Sequence, residues 1–414
     1  MVSYQKHILD NGLTVLTHEA WDTPLATVNL LYGVGARDEN PQRTGFAHLF
    51  EHLMFGGTPA VPDFDAVVSG LGGESNAFTN NDYTNYYVTL PAEGLRTALD
   101  LEADRMQHLD ISLKALQVQQ KVVTEEYNQR YMNRPYGDVW LLLRPLCYTA
   151  HPYRWATIGA DIRHVSEATL DDVRTFHQLY YRPDNAILAI AAPVKHDEQL
   201  RMAVDAFGAI ARSTQPSLAS RQYPSEPLQT APRTLHVQRN VPAPMVYLAY
   251  PMCDHNHPHF RACDLLSDIL ASGKSSRLYN RLVKEQGLMT EADACISGDE
   301  GPGLFVLSGK LREGVSLDSA VDALRSHTAA LATEMVDNYE LQKVINRYEN
   351  TFVFSQYKAA DRALGLCYYT WLGDTDLINR EPDEYHQVTT TMLHEAAHEV
   401  FNPQRENIMY YETL

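Results

Sequence analysis

Two stretches of this chain, about 220 residues apart, read alike, and that repeat limits the possible folds more than any other feature. Thr169-Leu170, a helical run, Arg182-Pro183-Asp184-Asn185 and a strand recur as Thr391-Met392, a helical run, Asn402-Pro403, Asn407 and a strand, with Asn407 in the place of Asn185. Leu30-Leu31-Tyr32-Gly33 resembles Leu248-Ala249-Tyr250-Pro251, and the helix ending at Gly56-Gly57 has a counterpart from Arg261 to Gly273. A unit repeated within 414 residues has room for its own core in each copy, because domains of about 100 to 200 residues bury enough surface to fold.

Local signals in the first half mix both secondary structures. Asp10-Asn11-Gly12 is a hairpin turn between the β-prone runs His7 to Leu9 and Leu13 to Leu16. Ala26 to Tyr32 reads as a strand, Arg43 to Phe55 and Phe64 to Leu71 as helices ended by glycine pairs, and Glu74 to Thr79 and Tyr83 to Leu90 as strands. Helical patterns follow over Ala92 to His108, Leu113 to Arg130 and Leu170 to Tyr180, then a strand from Ala186 to Ala191. The expected fold is α+β: two homologous domains from a tandem duplication, each a mostly antiparallel β-sheet packed against helices. Ser213 to Thr230 is rich in Ser, Pro and Gln without apolar periodicity and reads as a linker, which divides the chain into domains 1–212 and 231–414.

Two segments carry histidine pairs at metal-binding spacing: His48-Leu49-Phe50-Glu51-His52 and His394-Glu395-Ala396-Ala397-His398. A chain of this composition should contain either pattern by chance only about 0.04 times. Residues four apart on a helix differ by about 40° in azimuth, so either pair can offer two imidazoles to one ion with a glutamate beside it. The third ligand decides between them, since catalytic zinc takes three protein ligands and keeps a position open for water. After His398 the chain has room only for a turn and the closing strand, Ile408 to Tyr411, and Glu399 to Arg405 lacks the continuation such a motif uses. His394 and His398 are therefore expected on the surface of a terminal helix. His48 and His52 have a carboxylate downstream, Glu126, on a long helix where it shares a face with Val122 and Gln119.

His48-x-x-Glu51-His52, followed on a second helix by Glu126, resembles the inverted zinc motif of the pitrilysin, insulin-degrading enzyme and mitochondrial processing peptidase family. The likeness extends to the Asn11-Gly12-Leu13 hairpin, to Gly35-Ala36-Arg37-Asp38-Glu39, to Gly73-Glu74-Ser75-Asn76-Ala77-Phe78-Thr79 and to the duplicated halves. The length is that of the short, two-domain members, which pair as dimers around a chamber. The resemblance implies one zinc per chain held by His48, His52 and Glu126, Glu51 as general base, and Asn76, Ala77, Phe78 and Thr79 as an exposed edge strand that takes a substrate peptide as an extra strand. It also exposes two departures. Gln119 stands seven positions before the last ligand, where the family usually places a carboxylate behind the metal site. In the second half Val283 and Thr290 occupy the places of an Arg and a Tyr that help the family's short enzymes bind substrate and stabilise the tetrahedral intermediate.

The expected function is a zinc metallopeptidase subunit acting on peptides or unfolded segments, partnered by a paralogue that carries the Arg/Tyr pair. A homodimeric or presequence-processing peptidase and a non-catalytic structural subunit are the alternatives. Composition narrows the rest. A net charge of −18 disfavours binding a phosphate backbone, so nucleic acid is not an expected partner. No run of about 18 apolar residues and no leader pattern mark a membrane span or signal peptide. Five widely spaced cysteines without a C-x-x-C pair read as reduced thiols and favour the cytoplasm, or the periplasm if the chain is a processed form. Gly273-Lys274-Ser275 lacks the earlier glycine of a phosphate loop, Asp268 standing there, and His255, His257 and His259 read as a solvated loop.

Overall fold

The computed structural model describes residues 1–414 except 216, 217, 219, 220 and 299. It divides into two compact units, each with one sheet. In the first unit the strands are β1 (Gln5–Ile8), β2 (Thr14–Glu19), β3 (Leu25–Tyr32), β4 (Glu74–Thr79), β5 (Thr84–Pro91) and β6 (Ala186–Ala192), in the order β1-β2-β6-β3-β5-β4. In the second they are β7 (Arg233–Arg239), β8 (Met245–Pro251), β9 (Met289–Ile296), β10 (Leu304–Leu311) and β11 (Asn407–Thr413), in the order β7-β11-β8-β10-β9. Aligning β2 with β7, β6 with β11, β3 with β8, β5 with β10 and β4 with β9 superimposes the two orders, with β1 as the one addition. Each sheet has one parallel pair, β2 with β6 and β7 with β11, and is otherwise antiparallel. The duplication and the α+β class read from the sequence are therefore present in the strand order itself.

The repeat is offset in one place. The helix Leu170–Tyr180 is capped by Thr169, whose side chain accepts from the Asp172 amide, and the helix Thr390–Val400 is capped by Thr389, whose side chain accepts from the Met392 amide. The equivalent of Thr169 is thus Thr389 and not Thr391. The N-cap oxygen must meet the amide three positions on, and that requirement fixes the alignment.

The units are not continuous in sequence. The first comprises Met1–Gln129, Trp155–Tyr223 and Val353–Arg380, and the second Arg130–Arg154, Pro224–Phe352 and Glu381–Leu414. This differs from a division into 1–212 and 231–414 by two exchanged segments. The helix Ala359–Trp371 packs on β3 and β6 of the first sheet, and the helix Val139–Cys147 packs on β7, β8 and β11 of the second. A bare sheet face needs an apolar cover, and each half of the sequence supplies one to the other half's sheet. Of the expected linker, 213–230, positions 216, 217, 219 and 220 lie outside the described residues. Its later part is tied down. Arg221 and Tyr223 both bond the buried Asp38 carboxylate, at 2.5 and 2.7 Å, within the first unit. Glu226 accepts from the amides of Thr149, Ala150 and His151 within the second, at 2.8 to 2.9 Å. Among the described residues no helix is long and apolar enough to cross a membrane.

Four helices of the first unit position the chemistry: α1 (Phe46–Leu53), α2 (Phe64–Gly70), α3 (Leu95–His108) and α4 (Leu113–Tyr127). α1 is set by its apolar spacing. At about 100° per residue, Phe46, Leu49, Phe50 and Leu53 fall on one face, and His48, Glu51 and His52 fall on the opposite one. All four apolar side chains are buried, and Phe50 stacks on Phe176 at 5.1 Å between ring centroids. Burying each is worth about 1.5–3 kcal/mol, enough to fix which way the polar face points.

Candidate metal centre

The two histidines of α1 meet Glu126 from the last turn of α4. Glu126 Oε2 lies 3.5 Å from His48 Nε2 and 3.1 Å from His52 Nε2, and the imidazole rings stand nearly perpendicular, 4.8 Å between centroids. The three ligand atoms lie within 4.8 Å of one another, and this is the one group of three or more such side chains that converges among the described residues. Zinc bonds to nitrogen and oxygen of about 2.0–2.1 Å place neighbouring ligands of a tetrahedron about 3.3 Å apart. The two separations to Glu126 bracket that value, so the donor set fits a zinc ion with a fourth position left for water. His48 is buried, and His52 and Glu126 are partly exposed, so the pocket opens to solvent on one side.

Glu51 lies on the same face of α1, one turn from His48. Its carboxylate accepts from Thr79 Oγ1 at 2.6 Å, the last residue of β4. β4 is the edge strand of its sheet, paired with β5 on one side only. Along β4 the side chains alternate: Ser75 and Thr79 bond Asp65 of α2 and Glu51 of α1, whereas Phe78 packs against Tyr83 on the other face. The Ala77 amide donates to the Asn76 side chain at 2.8 Å, so it is directed at the open edge and away from the β5 ladder.

Glu39 holds α1 in place, a role that its neighbours in sequence do not reveal. Its carboxylate accepts from the Gly45 and Ala47 amides at 2.8 and 2.9 Å, satisfying two donors that the start of a helix leaves unpaired. Gly45, at φ 87°, turns the chain into the helix, and a Cβ there would lie 2.7 Å from the Ile158 carbonyl oxygen. Capping rules look for the acceptor at the N-cap position, and here it comes from well upstream, so local pattern could not show it. Gly35 is needed for a different reason. A Cβ on it would meet the Asn81 backbone at 2.4 Å, where Ala36 and Arg37 donate to Asn80 and Asn81.

Burial pushes the Glu39 carboxyl up to about 8, against the pull of those two amides. Between the ordinary carboxyl value of about 4.3 and about 8 the folded chain holds a proton that the unfolded chain has released. This group's contribution to stability is therefore complete below that window and is lost as the pH rises through about 8. Glu39→Gln does not titrate, and it sets an amide N–H against one of the two helix donors. The urea midpoint of the wild type should exceed that of the variant most at pH 5 and by less at pH 8.5. A gap independent of pH would show that Glu39 does not titrate there.

Gln119 lies two turns before Glu126 on α4, half-buried, and its side chain makes no hydrogen bond among the described residues. His48 Nδ1 is buried without a hydrogen-bond partner among the described residues. Metal-ligating histidines usually donate from the far nitrogen to an oxygen that orients the ring; here packing orients it. The competing motif gathers no third ligand among the described residues. His398 is exposed and His394 half-buried on the helix Thr390–Val400, and its glutamates engage His259, Glu399 at 3.0 Å and Glu395 at 4.0 Å. Val283 packs against the second unit's core, and Thr290 is exposed on β9, donating to the Lys310 carbonyl at 3.3 Å.

Known proteins resemble the chain in both sequence and fold. Residues 14–136 match the family described as insulinase (peptidase family M16), and residues 167–348 match the peptidase M16 inactive domain. The chain is 28% identical over 412 residues to the zinc protease PqqE of Helicobacter pylori, covering 97% of this chain and 91% of that protein. It is 30% identical over 283 residues to an uncharacterized zinc protease of Mycobacterium tuberculosis, covering 68% of this chain and 64% of that one. Among solved structures, a protease from Helicobacter pylori superimposes with a TM-score of 0.94 at 26% identity, covering all of both chains.

Proposed function

The chain belongs to the insulinase family of peptidases, M16, in its two-domain bacterial form, and from that premise we propose that it is a zinc-dependent metallopeptidase subunit that hydrolyses extended peptides. The observation that supports this most is the convergence of His48, His52 and Glu126 beside Glu51, a ligand set with a proton acceptor next to it. A non-catalytic protein gains nothing from holding an ionisable carboxylate there. When bound, zinc supplies Lewis acidity, polarising the scissile carbonyl and lowering the pKa of water toward about 7.

The remaining work falls to the chain's own residues. Glu51 takes a proton from the attacking water and delivers it to the leaving amine, acting as base and then as acid. Asn76, Ala77, Phe78 and Thr79 offer the open edge of β4, where a peptide adds as another strand and its backbone pairs with the exposed amides and carbonyls. Such a mode reads an extended backbone, so the substrates are peptides and unfolded segments. Zinc content and peptide turnover of the wild type beside Glu51→Gln test the proposal.

Docking on β4 has its own test. Pro at position 77 removes the amide that faces the open edge without touching the β5 ladder. Ala77→Pro should weaken peptide binding about tenfold, the equivalent of one backbone hydrogen bond, while zinc stoichiometry stays at one per chain. Equal loss of peptide and metal binding would mean that the strand had come apart, and unchanged peptide affinity would place docking elsewhere.

A further inference from the structure

We infer that Thr79 is a positioning residue for Glu51, so that the strand proposed to dock the peptide also aims the proton acceptor; this rests on the peptidase reading above. Among the described residues the Thr79 hydroxyl supplies the one hydrogen bond that the Glu51 carboxylate accepts, at 2.6 Å. A short bond to a carboxylate is among the stronger hydrogen bonds. It occupies Oε2 and leaves Oε1 to meet water. Without it a half-buried glutamate on a helix has free rotation about its side-chain bonds and spends most of its time pointing elsewhere.

Thr79 can do this because its own place is over-determined. As a β-branched residue in a strand it has few χ1 choices. Its backbone is in register with Thr84, and the turn beyond it is closed by the Asn80 amide donating to the Tyr83 carbonyl at 3.1 Å. Asn80 Oδ1 accepts from the amides of Asp82 and Tyr83, both at 2.8 Å. The turn is then fastened from outside. Ala36 and Arg37 donate their amides to the Asn80 and Asn81 carbonyls at 3.1 and 2.8 Å, and Arg37 pairs with the buried Asp82 at 2.9 Å. The hydroxyl that holds Glu51 therefore sits at the anchored end of the edge strand, two positions from the Ala77 amide that faces outward. A peptide pairing at Ala77 orders the same strand, which joins docking and proton transfer mechanically.

The test uses the full zinc-loaded chain with Val or Ser at position 79. Thr79→Val keeps the β-branched shape and removes the donor; Thr79→Ser keeps the donor. Expected for Thr79→Val are one zinc per chain, kcat lower by about 10- to 100-fold, the rate equivalent of a hydrogen bond to a charged group, and KM changed less than about twofold. Thr79→Ser should restore most of kcat, and crystals of zinc-loaded Thr79→Val should show Glu51 turned away from its wild-type position. An unchanged kcat, a loss confined to KM, or Glu51 unmoved in those crystals overturns the inference. If the zinc-loaded wild type hydrolyses no peptide either alone or with a paralogous partner, the proposed function fails, and the position of Glu51 in the Thr79→Val crystals still decides the role of Thr79.

Discussion

Glu51→Gln is expected to keep one zinc per chain and to lose peptide turnover by about 10²- to 10⁴-fold, the contribution of a positioned general base. Glutamine is the right replacement because it has the same shape and can still accept from Thr79 Oγ1, which bonds Glu51 at 2.6 Å. The site keeps its geometry and loses only the capacity to take a proton. The ligand variants should separate from it. Removing His48, His52 or Glu126 leaves two donors where the ion needs three, so His48→Ala, His52→Ala and Glu126→Ala should lose zinc together with activity. His394→Ala should change neither, since its motif collects no third ligand among the described residues. Metal analysis and steady-state kinetics on the same samples check all of these. Near-normal turnover in Glu51→Gln would rule out Glu51 as the base, and zinc lost from His394→Ala but kept by His48→Ala would place the metal on the second motif.

The isolated chain is expected to turn over peptide slowly and to gain about 10²- to 10³-fold in kcat with a paralogous partner, the range that one oxyanion donor contributes. The argument rests on Val283 and Thr290. A tetrahedral intermediate needs donors for its oxyanion, and neither an isopropyl group nor the Thr290 hydroxyl, which donates to the Lys310 carbonyl, replaces a guanidinium and a phenol. Val283 is committed to packing against the second unit's core. A partner of the same duplicated fold that carries the Arg and Tyr would complete the site. Assaying the chain alone and then with candidate paralogues, with sedimentation of the mixture, tests this. Full activity from a homogeneous preparation, unaffected by substitution at 283 and 290, removes the need for such a partner and leaves the metal site as it is.

The sequence carried the candidate metal ligands of α1 openly because their spacing is local. His48, Glu51 and His52 lie close together on one helical face, and a fixed helical period makes that legible from spacing. The third candidate ligand, Glu126, lies far along the chain on α4; its place on a helical face with Val122 and Gln119 marked it, and the resemblance then supported that choice. Glu39 shows the opposite case: its residues were in view within the Gly35 to Glu39 segment, and their purpose was not. A cap reaching forward from Glu39 to Gly45 and Ala47 depends on the path of the intervening chain, which no capping pattern encodes.

The duplication has the same two sides. Hydrophobic periodicity and turn residues marked the strands, the helices and their repetition, since each element answers to its own residues. They did not mark the exchange of Arg130–Arg154 and Val353–Arg380 between units, or the equivalence of Thr169 with Thr389. An apolar helix such as Ala359–Trp371 is equally content on any bare sheet face, so its own residues do not say which sheet it covers. That choice was left to tertiary structure, as was the bond that turns Glu51 toward Thr79, because both depend on which distant surfaces meet once the cores have closed.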